Sequence, residues 1–149
     1  MSKNMNYMSV IERYHEYRYA IHELLGSIVV GIARPNLLHD EVRQRNSVNF
    51  FAENYPFVES LYTLDEHGLQ TSEILVHVDR LKGEKRTTVG KDRRRRSYYL
   101  MAKESNSVVI TEPYLSAVNR VLCVSAAIKV CDTETAQVLG YIVIDIDLA

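Results

Sequence analysis

"NRVLCVSAAIKVCDTETAQVLGYIVIDIDL", residues 119–148, contains two strands joined by the turn "CDTETAQ". Successive side chains on a strand point to opposite faces, so each half can be sorted residue by residue. In the second half Val138, Ile142, Ile144 and Ile146 fall on one face with Gly140 among them, while Leu139, Tyr141, Val143, Asp145 and Asp147 fall on the other. In the first half Leu122, Val124, Ala126, Ile128 and Val130 make an apolar face, and Cys123, Ser125 and Ala127 make a face of small side chains. One side of this hairpin is therefore core. Small residues in mid-strand leave volume above the other side, where Tyr141 and Asp145 stand.

Working outward, "SVVITEPYLSA" (107–117) is a third strand, with Tyr114 and Ser116 sharing a face at its end. If these two residues meet the small-residue face, Tyr141 and Asp145, they line an apolar cavity holding a few polar groups, the composition of a small-molecule site. The alternative is a face covered by the N-terminal helices with Asp145 at its rim. Before this strand, "RRRSYYLMAKES" (94–105) suits a short helix ended by "SNS", and residues 73–90 are charged, poorly periodic loop. "FVESLYTLDEHGLQTS" (57–72) gives a strand, a turn over Asp65–Gly68 and a second strand.

The first third is helical. Ile11, Tyr14, Arg18, Ile21, Leu25, Ile28 and Ile32 recur at alternating three and four, a heptad-like stripe over roughly 8–33, with Val10, Tyr17 and Leu24 on a neighbouring face. Such a helix packs on its own domain with one face and on a second copy with the other, unless both faces are core; a homodimer through it is expected. Pro35 stops the helix. Asn36 can cap a second helix that carries Asp40 and Glu41 near its positive end and runs to about Glu53.

Composition narrows the function. The chain has 149 residues, 46% of them hydrophobic, which is enough for one folded domain with a core. Its 18 basic residues face 19 acidic ones, so "KDRRRRSYY" is a local patch on a balanced protein and nucleic-acid binding is disfavoured. The longest apolar run, "LLGSIVVGIA" (24–33), is too short to span a bilayer, and no secretory signal is visible at the start. On that basis the chain as written is expected in the cytoplasm, or outside it if excised from a membrane receptor. Cys123 and Cys131 lie too far apart on a strand to bridge and read as ordinary buried thiols. No metal or cofactor is called for. Ser116, Ser125, His67 and Asp145 are all present, but no "GxSxG", "HExxH" or phosphate loop accompanies them, and catalysis is not expected.

"YPFVESLYTLDEHGLQTS", "GKDRRRRSYYLMA", "VVITEPYLS" and "LGYIVIDIDL", in that order and spacing, resemble the Cache domain, the PAS-like sensor module of bacterial chemoreceptors, histidine kinases and diguanylate cyclases. The resemblance spans residues 8–148 and implies an α+β fold: a central five-stranded antiparallel sheet with a long N-terminal helix and a second helix packed on it. It implies a single sensor domain, helices over about 8–53 and sheet over about 57–148. It also implies ligand-binding residues. Arg96, Tyr98, Tyr99 and Ala102 match an R-x-W-Y-x-x-A pattern of amino-acid-sensing members, with tyrosine in place of tryptophan. Lys91 stands where a tyrosine is usual, Tyr114 is followed by Ser116 in place of an aspartate, and Asp145 matches the acid of the final strand. The implied ligand is a small carboxylate-bearing molecule, an amino acid or an organic acid. Arg96 is its carboxylate partner, and Arg93, Arg94 and Arg95 are solvated or loop-anchoring. The alternative is a dimerisation or protein-interaction module whose pocket has degenerated.

Overall fold

The computed structural model describes residues 7–32, 35–38, 40–55, 57–75, 89–115 and 122–148. In chain order the elements are α1 (Tyr7–Ile32), a 3-10 turn (Pro35–Leu38), α2 (Glu41–Asn54), β1 (Val58–Asp65), β2 (Gln70–Leu75), α3 (Ser97–Lys103), β3 (Val109–Ile110), β4 (Tyr114–Leu115), β5 (Leu122–Cys131) and β6 (Val138–Asp147). Every strand pair is antiparallel. The order across the sheet is β2-β1-β6-β5-β3, with β4 also on β5. Six strands thus occupy five positions. The expected third strand is present but interrupted at Thr111-Glu112-Pro113, where proline cannot donate to a ladder and sits at the sheet edge.

Alternation places most of β5 and β6 as expected. Val124, Ala126, Val130, Ile142, Ile144 and Ile146 join Val58 and Leu61 in one core, against Tyr14 of α1 and against Leu37 and Leu38 of the 3-10 turn. Val143, Ala127 and Tyr141 lie on the opposite face with Tyr62, Leu64 and the α3 residues Tyr98, Tyr99 and Ala102. The first two residues of β6 depart from the expected sides: Leu139 packs against the α1-side core and Val138 against the α3-side one. The cause is a bulge. Val130 pairs Gly140 while the next residue, Cys131, pairs Val138, so Leu139 is extra and inverts the faces before it. A side chain at Gly140 would meet the carbonyl oxygen of Leu64, so this close approach requires glycine.

α1 packs across β5 and β6, while α2 packs on β1 and β2. On α1, Val10 and Tyr14 are buried, Ile11 and Ile21 are half-buried, and Arg18 of the expected stripe is exposed. Leu25, Ile28 and Ile32 contribute side chains that lie outside the described set. Met8 and Tyr19 are exposed on the same helix. The start of α2 differs from expectation: Asp40, not Asn36, caps it, its Oδ1 accepting from the N–H groups of Val42 and Arg43 at 3.0 and 3.2 Å. Asn36 falls in the 3-10 turn, which the preceding Pro35 begins. Among the described residues, no helix is long and apolar enough to cross a membrane.

Candidate functional site

The arginine run is positioned by the β1–β2 hairpin. Its turn is held by Asp65, whose Oδ1 accepts from the backbone N–H groups of His67 (2.8 Å) and Leu69 (3.0 Å). The chain at 90–93 then runs beside the start of β2: the Gly90 N–H donates to the Gln70 carbonyl (2.7 Å), the Gln70 N–H to Lys91 (2.9 Å) and the Arg93 N–H to Gly68 (2.9 Å). The Arg93 side chain adds a bond from Nε to Gln70 Oε1 at 2.9 Å. Gly68 has a φ of +85°, and a Cβ there would come within 3.0 Å of the Tyr99 ring and 2.8 Å of Arg94 Cγ. Hairpin tip and arginine segment are therefore in direct contact.

Two arginines of the run have local partners. Arg93 ties to Gln70, and Arg94 forks onto Asp92 with Nη2 at 2.7 Å from Oδ2, holding that exposed carboxyl down at about 2. Arg95 is exposed. Arg96 precedes α3, its N–H donating to the Arg93 carbonyl and its own carbonyl accepting from Leu100. Its side chain is half-buried and makes no ion pair with any described residue. From there α3 turns Tyr98, Tyr99 and Ala102 onto the sheet and leaves Leu100 and Met101 outward.

Beneath α3, Asp145 collects hydroxyl donors from both neighbouring strands. It pairs directly with Ser60 of β1 and Ser125 of β5 in the sheet register, which brings those side chains to its sides. Oδ1 accepts from Ser125 Oγ at 2.6 Å and from the Tyr62 hydroxyl at 3.1 Å, and Oδ2 is 3.5 Å from Ser60 Oγ. The Tyr114 hydroxyl bonds Ser125 Oγ from behind. The Tyr62 proton points to Asp145, and the Tyr98 ring meets the Tyr62 ring edge-on at 5.9 Å. Two irregularities make this convergence possible. Val58 pairs Ile146 and Ser60 pairs Asp145, so Glu59 is an extra residue that aims Ser60 at the acid's face. Along the edge, Val109 to Tyr114 spans five steps against four from Ala127 to Cys123, which turns Tyr114 onto the same face. At that break the Thr111 hydroxyl accepts the Ser125 N–H at 3.0 Å, where a regular ladder would use a carbonyl.

Burial sets the protonation of this cluster. It pushes the hydroxyls of Tyr62, Tyr98 and Tyr114 above the ordinary tyrosine range, and the negative charge of Asp145 pushes further in the same direction. The Cys123 thiol rises to about 12 from burial first and Asp145 second. All remain protonated donors near neutrality.

Of the expected site residues, Tyr114 and Asp145 belong to one hydrogen-bonded cluster, and Tyr98 packs edge-on against its member Tyr62. Tyr99 lies elsewhere on the face, its ring 5.0 Å from that of Tyr141 under the hairpin tip. Arg96 stands at the approach to α3, and Ser116 lies outside the described residues. Tyr62 and Ser60 were not anticipated as site residues, although alternation in "SLYTL" puts Tyr62 on one face with Ser60 and Leu64. Cys123 is buried and Cys131 only half-buried, both as free thiols, so the second is less enclosed than expected.

No protein-family model and no curated protein matches the chain by sequence. Solved structures do match by fold. The ligand-binding domain of the Campylobacter jejuni chemoreceptor Tlp3, in complex with 4-methylisoleucine, superposes with a TM-score of 0.64 at 13% identity over 93% of this chain and 56% of that one. The ligand-binding domain of the Pseudomonas aeruginosa amino-acid chemoreceptor PctC, in complex with GABA, gives 0.56 at 19% identity over 93% and 57%. The sensor domain of the V. cholerae histidine kinase DctB gives 0.63 at 14% identity over 95% and 55%. The chain thus spans a little over half the length of each, and it has the fold that these sensory domains share, as the Cache resemblance implied.

Proposed function

We propose that the chain is a single, non-catalytic sensor domain that binds a small carboxylate-bearing molecule between α3 and the sheet. The observation that carries this is Arg96: a half-buried guanidinium with no ion pair among the described residues, whose charge reaches Tyr98 at the edge of the Asp145 cluster. A guanidinium offers two parallel donors to a carboxylate, giving orientation as well as energy. Tyr98 and Tyr99 supply rigid walls from the same short helix, and Ser116 is part of the proposed site. The sensory role of the fold's relatives supports the same assignment. Ligand would draw the arginine-tyrosine segment toward the sheet and bias α1 or β6, shifting an existing equilibrium by the difference in its affinity for the two states. A second copy docking along α1 would carry that shift to an output partner. If the chain is the sensor of a membrane receptor, the site faces outside the cytoplasm.

A thermal-shift screen against amino acids, dicarboxylates and short fatty acids tests the proposal. Ligand at a hundredfold excess over its dissociation constant adds about 2.7 kcal/mol, a shift of several degrees at this size. The shift is expected to vanish in Arg96→Ala. A shift that survives in full would remove Arg96 from the site.

One observation favours a second reading, an interaction module with a closed pocket. The Asp145 cluster is complete within the protein, and no described buried side-chain polar atom lacks a partner. Absence of any shift from folded, ligand-free protein would select it.

A further inference from the structure

We infer that the ligand is a carboxylate without an ammonium group, because Asp145 is already committed as the internal acceptor of the sheet; this rests on the proposed function above. An ammonium entering beneath α3 needs acceptors. An ionised carboxylate has about four lone-pair sites, and both on Oδ1 are taken, by Ser125 at 2.6 Å and Tyr62 at 3.1 Å. Asp145 accepts the Tyr62 proton, and the other neighbour of the Ser125 hydroxyl, Tyr114, belongs to the same cluster. Tyr62 is buried, and Ser125 is wholly buried with Tyr114 bonded to it from the other side. Displacing either by an ammonium strands a buried hydroxyl, and at Ser125 it passes the deficit to Tyr114.

Oδ2 is less firmly held, with Ser60 at 3.5 Å, but Asp145 is engaged beyond these bonds and is not an open acid. Glu59 and Asp147 act on Cys123 at the far end of β5, and each is engaged in interactions of its own. The acids on this face are thus spoken for by the fold, whereas Arg96 is not paired with any described residue. A mono- or dicarboxylate meets Arg96, which no described residue pairs, and asks nothing of Asp145.

The test is calorimetric titration of the full chain with matched pairs that differ only by the amine: valine and isovalerate, aspartate and succinate, 4-aminobutyrate and butyrate. The deaminated member of at least one pair is expected to bind about tenfold or more tighter than its partner, the ratio one displaced charge-assisted hydrogen bond would produce. Tyr62→Phe, which keeps the ring and frees one lone pair of Oδ1, is expected to shift that ratio toward the amine; Ser125→Ala provides the same readout if the first variant does not fold. Tighter binding of the amino member to the unaltered protein overturns the inference while leaving the carboxylate proposal standing. No binding by any member of any pair overturns both.

Discussion

On the α1 side of the sheet, Val58, Leu61, Val124, Ile142, Ile144 and Ile146 pack as aliphatic side chains with essentially no exposure. On the α3 side, Tyr62, Tyr114, Ser60, Ser125 and Asp145 are tied by directional bonds, with Tyr98, Tyr99 and Tyr141 packed on the same face. The first face depends on volume and exclusion of water, each buried Leu, Ile or Val contributing about 1.5–3 kcal/mol. The second depends on complete satisfaction of its polar groups, because an unpaired one at low dielectric costs as much as a hydrogen bond gains. A binding site can be built on the second kind of surface, since its groups answer to chemistry as well as to shape.

The sharpest way to break this contrast is Ile144→Ala. It opens a cavity in the aliphatic face and is expected to cost about 2–5 kcal/mol by urea unfolding, with ligand affinity unchanged in the folded fraction. A loss of affinity matching the loss of stability would show that the two faces are not separable. Ser125→Ala is expected to cost about 1–3 kcal/mol, less in stability than Ile144→Ala, and to move the binding ratio toward the amine, since it removes the donor that links Tyr114 to Asp145.

Alkaline pH should act through the buried thiol and phenols. Cys123, raised from 9.0 to about 12, and Tyr141, raised from 10.0 to about 12 by burial and by Tyr99, stay protonated when folded while the unfolded chain has already lost those protons. The unfolded state therefore binds fewer protons across that window, and stability, full below pH 9, falls as pH rises toward 12. The melting temperature should decline over that range, less steeply in Cys123→Ala. A flat profile from pH 9 to 12 would mean that the thiol and the phenol are not buried as described.

Much of the sheet was legible in the residues themselves. The β5 face of Cys123, Ser125 and Ala127 lies toward α3, and β6 alternates as expected from Tyr141 to Ile146. Val138 and Leu139 were not legible, because a one-residue bulge inverts both sides and leaves no mark in a hydropathy pattern. The helix cap moved for a similar reason. Asn36 and Asp40 are equally good caps in isolation, and the 3-10 turn that buries Leu37 and Leu38 against the sheet selects the later one.

The site divides along the same line. Local period and residue type placed Asp145 and Ser125 opposite the aliphatic core, and the Cache resemblance marked Arg96, Tyr98, Tyr99 and Tyr114. Which of these touch was set only by tertiary structure: the extra residue at Glu59 and the break before Tyr114 aim Ser60 and Tyr114 at the acid, and the β1–β2 hairpin anchors the arginine run. Sequence determines the face of a residue because alternation is local. Register between strands far apart in the chain is chosen by packing of the whole sheet, and that choice gave Asp145 its partners.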